Sequence, residues 1–388
     1  MISSNFDVVV IGAGTVGANI AHALAQFNKS VALIDRSTLG SGTSANSFAW
    51  INATAKATDK NYFTFNHRGC QAYRDLARDW GDHHIGLHQT GMIESVSRQN
   101  KTLYNSVSQR AASLADLGYP VRWIYGKELQ AIEPNAEFDT DAEGLFAFSD
   151  AWLDIPVFLS FLKARIRSLG GAIYEKCEAL ELLLNDDASV QGVVTNAGEI
   201  LCSDVVLAVG PDTPRVLSKL TGYEPFEARF PVQRGPGLLV TTPTLYRPNL
   251  FQRILYMNNG PEVHIRPSAG GGLVIGAEST DGLIDEESSL DQLLTVGQKL
   301  LGMAKLSLPF LDTNIEECTV GLGIRAVPSD GHSIIGPLPG ADGLTVVVTH
   351  SGVTLGVILS QLVARWVTSK IMPFELQPFG LERFRGFS

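Results

Sequence analysis

The 388-residue chain is 45% hydrophobic and 18% charged, enough for two domains that each bury a core. Its net charge of −10 argues against nucleic acid or an anionic membrane as a main partner, since both call for basic patches. Cys70, Cys177, Cys202 and Cys318 are scattered without metal-ligand spacing, which reads as free thiols in a reducing compartment. The first apolar strand starts by Phe6 with no basic segment before it. The apolar stretch Val353 to Val367 is interrupted by Ser360, Gln361 and Arg365. Neither a signal peptide nor a bilayer-spanning segment is expected, and the chain reads as cytoplasmic.

Chain order begins with an apolar strand to Ile11, a turn carrying Gly12, Gly14 and Gly17, and a helix with Val16, Ile20, Leu24 and Phe27 on one face. A second apolar strand, from Val31, closes on Asp35. A bare GxGxxG means little, but strand, glycine turn, amphipathic helix and an acid 18 residues after the last glycine form the dinucleotide-binding fingerprint. Gly12 permits the tight turn, Gly14 the approach of a pyrophosphate, and Gly17 close packing of helix on strand. The helix start offers N–H groups and partial positive charge to phosphate, and Asp35 can accept from a ribose diol.

A loop of small residues follows from Gly40 to Asn52. Helical patterns are predicted over 61–80 and 101–117, with strand character over 88–96 between them, and Glu133-Pro134 breaks the chain. A helix over 157–169 leads to strands at 172–174, 179–184, 192–195 and 205–209. Alternation around turn signals over 225–282 predicts antiparallel sheet. A helix over 290–304, a strand over 344–348, a His-Ser-Gly loop and a helix over 354–368 complete the chain. The expected fold is α/β, a Rossmann-type nucleotide domain with an inserted antiparallel substrate domain. The nucleotide domain would comprise 1–80, 145–220 and 319–388, and the substrate domain 81–144 and 221–318.

Three distant segments then point to one family. Val8 to Gly17 with Asp35-Arg36, Gly198 to Gly210, and Gly323-Ile-Arg-Ala-Val-Pro-Ser-Asp-Gly-His-Ser-Ile-Ile-Gly-Pro resemble motifs of the D-amino acid oxidase / glycine oxidase / sarcosine oxidase superfamily. Val263 to Ala277 is similar to its substrate-sheet hairpin, and the tail from Pro373 to its usual ending. The resemblance implies FAD, a p-hydroxybenzoate-hydroxylase-like architecture, and oxidation of a C–N bond by hydride transfer to flavin N5, giving an imine that hydrolyses. Oxygen, a respiratory component or another acceptor would take the electrons.

By position, the resemblance assigns Gly12, Gly14, Thr15, Val16, Gly17, Asp35 and Arg36 to the ADP half. It places Ser44, Ala45 and Asn46 beside pyrophosphate and flavin. Ala179 stands where the family has a valine touching adenosine through its backbone. Gly210 approaches the cofactor from the next turn, and Gly352, Val353 and Thr354 start the helix aimed at the flavin N1–C2=O edge. Four departures stand out. Phe48 and Trp50 replace small residues near the flavin face. Gly323 replaces the cysteine that links flavin covalently in monomeric sarcosine oxidases, so FAD is expected to be non-covalent. Ala326 replaces a proline, and His264 falls where glycine oxidases tend to carry a pocket tyrosine.

Arg325 lies in a glycine-flanked apolar segment without a neighbouring acid. It pairs either with a substrate carboxylate, the role the resemblance favours, or with a distant Asp or Glu. His350 and His264 are candidates for contact with flavin or substrate, against the alternatives of a packed loop histidine and a solvent-facing strand histidine. Tyr256 is a further candidate on the substrate sheet. His22 reads as structural, and His83, His84 and His88 as loop residues without metal spacing. A 2-hydroxy-acid dehydrogenase, a flavin monooxygenase and a flavoprotein serving as an assembly factor remain alternatives. No metal is expected. Substrate side chain, stereochemistry and oligomeric state stay open.

Overall fold

The computed structural model describes residues 5–222, 225–246, 250, 252–258, 260–385 and 387. Two compact units emerge. One comprises Met1–Ala45, Ile155–Gly235 and Arg325–Ser388, the other Asn46–Asp154 and Pro236–Ile324.

The first unit is built on a six-stranded sheet in the order Ile334–Pro337, Leu344–Val348, Asp204–Leu207, Val8–Ile11, Val31–Ile34, Ala172–Tyr174. All neighbours pair in parallel except the edge strand Ile334–Pro337. The apolar runs Val8–Ile11 and Val31–Ile34 are wholly buried, as strands of a parallel sheet covered on both faces must be. The helix Thr15–Gln26 packs against the helices Ile155–Ser168 and Gly352–Ser369. The last of these is long and apolar enough to cross a membrane, and 61% of it is buried within the chain. Lys370, in the left-handed region at its end, forms an ion pair with the buried Asp204. A three-stranded meander, Ala179–Leu184, Val190–Thr195 and Gly198–Leu201, adds its apolar face to this core.

The second unit holds most of an eight-stranded sheet. Its order is Thr319–Pro328, Val232–Thr241, Leu273–Gly276, Val263–Pro267, Ile254–Met257, Met92–Ser97, Ala142–Ala147, Val121–Tyr125. Its first two strands carry the chain across the unit boundaries. Alternation sorts the side chains. Ile93, Leu255, Met257, Val263, Ile265 and Ile275 form one core with Leu300, Leu301 and Ala304 of the helix Leu290–Ser307. Met92, Val96 and Ile254 pack with Phe48, Trp50, Trp152 and Tyr256 in another cluster.

Helices Lys60–Trp80, Lys101–Asp116, Ile155–Ser168, Leu290–Ser307 and Gly352–Ser369 fall where helical patterns are expected. The division of the chain does not. Residues 46–80 and 145–154 belong to the second unit, because Trp50–Ile51 and Leu87–His88 pair with Ala151–Leu153, and Ala142–Ala147 pairs with Met92–Ser97. His83 and His84 sit on a short helical turn, and His88 lies in a strand rather than a loop. His22 is buried edge-on against Phe161, and burial lowers its pKa to about 4, as a structural histidine.

The segment 50–54 is held by one buried carboxylate. Asp150, with no exposed surface, accepts hydrogen bonds from Trp50 Nε1 at 2.8 Å, Tyr119 Oη at 2.7 Å and Thr54 Oγ1 at 3.2 Å. Burial pushes its carboxyl up to about 7, further than those donors pull it down. A carboxyl whose folded-state pKa is raised binds more protons folded than unfolded. Its contribution to stability therefore falls as pH rises from about 4 to about 7. Asp150→Asn removes that titration, so its stability relative to wild type should improve between pH 4 and 7.5, read as denaturant midpoints. A difference independent of pH would show that Asp150 is ionised throughout.

Candidate functional site

The glycine turn of the first unit is fixed by contacts that exclude side chains. Gly12 has φ +103°, and a Cβ there would meet the Ala208 carbonyl. A Cβ on Gly17 would run into the Gly12 carbonyl, so the helix can approach the strand only without one. Gly14 caps the helix with no side-chain hydrogen bond, and the first turn carries no acid. Thr15 N and Thr15 Oγ1 both donate to Ser44 Oγ at 3.0 Å, which brings the 43–46 turn alongside. A helix start with a hydroxyl contact and no acid in its first turn fits the diphosphate of FAD.

Asp35 braces this turn. Its Oδ2 accepts from Ala13 N at 2.7 Å and its Oδ1 from Ser37 N at 2.8 Å, so the acid supports the loop. Cys177 N donates to the Asp35 carbonyl at 2.7 Å, which sets the buried Ala179 two residues beyond it on the same edge. Arg36, half exposed, donates to Asp212 at 2.5 Å. Asp212 also receives Arg234 at 2.7 Å and closes the turn that begins at Gly210, φ +58°. The structure thus gathers Gly12, Gly14, Thr15, Gly17, Asp35 and Ser44 into one turn, with Arg36 and Gly210 linked through Asp212.

The final helix begins at Gly352, again with no side-chain cap and no acid in its first turn. A Cβ on Gly352 would sit 3.1 Å from Val16, so the starts of the two helices are neighbours. Val353 and the buried Thr354 complete that turn, and His350 is exposed just before it. Arg325 lies within the strand Thr319–Pro328, half buried, with Nε donating to the Gly235 carbonyl at 3.3 Å.

In the second unit, Asn46 Nδ2 donates to the Leu322 carbonyl at 3.0 Å, and a Cβ on Gly323 would strike the Asn46 carbonyl. A cysteine at 323 is therefore excluded by packing as well as by sequence. Past a left-handed Ala49, φ +55°, the loop sets Phe48 and Trp50 against the substrate-sheet candidates. Phe48 meets His264 edge-on at 4.6 Å between ring centroids, and Trp50 lies 6.4 Å from Tyr256. His264 pairs across strands with Tyr256 on one side and Gly276 on the other. Gly276 has no room for a side chain beneath the imidazole. His264 Nδ1 lies 3.2 Å from Glu262 Oε1. Burial would raise the Glu262 carboxyl, but the bond and charge from His264 outweigh it and leave it lowered. Burial, with nearby Glu262, pushes the Tyr256 phenol upward, so it stays a neutral O–H.

Asp150, Glu262, Trp152 and Arg266 join this cluster without having been singled out in the sequence. Alternation along the strand Val263–Pro267 places Arg266 on the same face as His264, a signal that was there to be read. Among the described residues, no group of three or more His, Cys, Asp or Glu could hold a metal ion.

Gly17→Val puts three carbons where none fits. It should cost several kcal/mol in stability and release the cofactor, checked by denaturation and by the yellow colour retained on gel filtration. Full retention of both would remove the close-packing argument.

The FAD dependent oxidoreductase (DAO) family matches residues 7–366. The chain is 26% identical over 391 residues to glycine oxidase of Geobacillus kaustophilus, covering 99% of each protein. It is 26% identical to mouse peroxisomal sarcosine oxidase over 217 residues, 55% of this chain and 53% of that protein. The crystal structure of the Geobacillus kaustophilus glycine oxidase superposes with a TM-score of 0.80 at 24% identity, over 99% of this chain and 100% of that one. With the glycine turn, the braced acid and the two helix starts that carry no acid, these matches show an FAD-dependent enzyme of the amine- and amino-acid-oxidising type, and the chain belongs to the DAO family of FAD dependent oxidoreductases.

Proposed function

We propose that this enzyme oxidises the C–N bond of an amino acid or N-substituted amino acid, of the D-amino acid, glycine or sarcosine type. The observation that carries the reading is Arg325, a strand-borne guanidinium whose Nε is held by the Gly235 main-chain carbonyl. Such an arginine, oriented by a main-chain carbonyl, presents a planar guanidinium whose geometry matches a carboxylate. The length-wide similarity to glycine oxidases supports an α-carboxylate as that anion.

Bound FAD supplies the hydride acceptor, and the imine product hydrolyses in water. The residues of the chain bind and orient. Arg325 holds the carboxylate, so that the amine-bearing carbon takes a fixed position. Within the second unit, Tyr256 is a neutral O–H and His264 is steadied by Glu262 and Phe48, a polar pair able to meet an amine. The first turn of Gly352–Ser369, which carries no acid, would hold the flavin end of FAD and favour negative charge there. No strong protein base is required once the amine is unprotonated.

Two outcomes follow. FAD is non-covalent, because Gly323 leaves no nucleophile and no space for one. Acid precipitation should release all yellow colour to the supernatant, and colour in the pellet would contradict this. Arg325→Ala should lower kcat/KM for an amino acid by about 30- to several-thousand-fold, the equivalent of about 2–5 kcal/mol, with Arg325→Lys intermediate. An amine without the carboxylate should be affected far less. Equal losses on both substrates would make Arg325 a structural residue.

A further inference from the structure

Within the first unit, the start of the final helix is gripped by a short chain of hydrogen bonds. The strands Ile334–Pro337 and Leu344–Val348 pair antiparallel, with Ile334 opposite Val348. The same register, carried one step beyond both strands, sets Ser333 opposite Thr349. Their hydroxyls meet there, as opposed Ser and Thr on paired strands can. Ser333 Oγ donates to Thr349 Oγ1 at 2.8 Å, and Ser333 has no exposed surface. Thr349 Oγ1 also accepts from the Ser351 N–H at 3.1 Å. Ser351 immediately precedes the helix Gly352–Ser369 and gives it no side-chain cap. The Thr349 methyl lies 3.8 Å from where a Cβ on Gly352 would stand. One side chain therefore holds the main chain at 351 and packs on it at 352.

The other end of this chain is anchored by the C-terminal turn. Arg383 Nε and Nη2 donate to Asp330 at 2.7 and 3.2 Å, and Nη1 donates to the Phe379 and Gly380 carbonyls at 2.7 and 2.8 Å. Nη2 also donates to the Ser333 carbonyl at 3.0 Å. A guanidinium engaged on all three nitrogens leaves the Ser333 main chain little freedom. The path Arg383–Ser333–Thr349–Ser351 is continuous and lies wholly in the first unit. An apolar pair at 333 and 349 would continue the packing of Ile334 and Val348 without burying a hydroxyl, which is costly unless bonded. What the hydroxyl pair adds is a fixed acceptor for the Ser351 amide.

We propose that Thr349 and Ser333 are positioning residues that aim the start of the final helix and, through it, set the reduction potential of the bound flavin. The proposal rests on the reading that this helix start holds the flavin end of FAD, and goes beyond it in naming what aims the helix. Free N–H groups of a first turn without acids favour negative charge only where they point, and the effect fades within a turn. Releasing Ser351 loosens that aim, so the reduced, more negative flavin loses stabilisation.

The test measures the two-electron midpoint potential of the FAD-loaded protein by anaerobic dye equilibration, with melting temperature as a separate readout. Thr349→Val keeps the shape and removes the hydroxyl, Thr349→Ser retains the hydroxyl, and Ser333→Ala removes its donor. Thr349→Val should shift the equilibrium against the reduced flavin by about tenfold, ~30 mV more negative. Thr349→Ser should stay close to wild type, and Ser333→Ala should fall between. A lowered melting temperature with an unchanged potential in Thr349→Val overturns the proposal, and so does an equal shift in Thr349→Ser. If Thr349→Val fails to retain FAD, Ser333→Ala decides: a more negative potential upholds the proposal, and an unchanged one overturns it. Loss of FAD from both variants overturns it as well, since the pair would then build the site rather than tune it. Val353→Asp places an acid in the same first turn and tests the parent reading, on which the potential should become more negative. No shift there sinks both readings, whereas a shift there with none in Thr349→Val sinks this one alone.

Discussion

The contact of Gly17 with the Gly12 carbonyl sets the distance between the first helix and the first strand. That distance fixes where the helix start points, and the strand concerned is central in the six-stranded sheet. Asp35 reaches back from the next strand to the Ala13 amide, so the turn is tied on both sides. The same strand order brings Asp204–Leu207 beside Val8–Ile11, which delivers the Gly210 turn to the same end of the sheet. Backbone donors rather than charged side chains thus line this candidate nucleotide site, as suits an acidic protein with an anionic cofactor.

The second unit solves a different problem, holding an irregular loop still. Residues 46–54 are fastened at four points: Asn46 to Leu322, Phe48 to Arg266, and Trp50 and Thr54 to Asp150. Each fastening is a hydrogen bond made in a buried or half-buried setting, where an unmade bond would be expensive. The outcome is that Phe48 and Trp50 are walls rather than flaps, and they face His264 and Tyr256. Side chains that look like departures from a small-residue loop are anchored: Trp50 lies in a three-stranded sheet with Ala151–Leu153 and Leu87–His88, and Phe48 packs on His264.

Much of the first unit was legible in the chain because its signals are local. Val8 to Asp35 carries strand, glycine turn, helix and acid within one short span, and the structure reproduces it residue for residue. The unit boundaries were not legible, since they depend on pairings such as Trp50 with Trp152, which no periodicity records. Asp150 and Arg266 escaped for a related reason. A lone acid or arginine in sequence gives no sign of burial, and each takes its meaning from partners roughly 100 to 200 residues away. Arg325 could be noticed because apolar and glycine neighbours flank it, though its bond to Gly235 is again long-range.

The central claim is that carbon–nitrogen bonds, not carbon–oxygen bonds, feed electrons to the bound flavin. The direct measurement mixes the yellow protein anaerobically with matched pairs of amino acids, N-methyl and N-carboxymethyl amino acids on one side and the corresponding 2-hydroxy acids on the other. Flavin absorbance is followed to completion. Bleaching by one or more amino compounds, with their hydroxy counterparts inert, is the expected result. Bleaching by hydroxy acids alone would contradict the account and make the enzyme a 2-hydroxy-acid dehydrogenase.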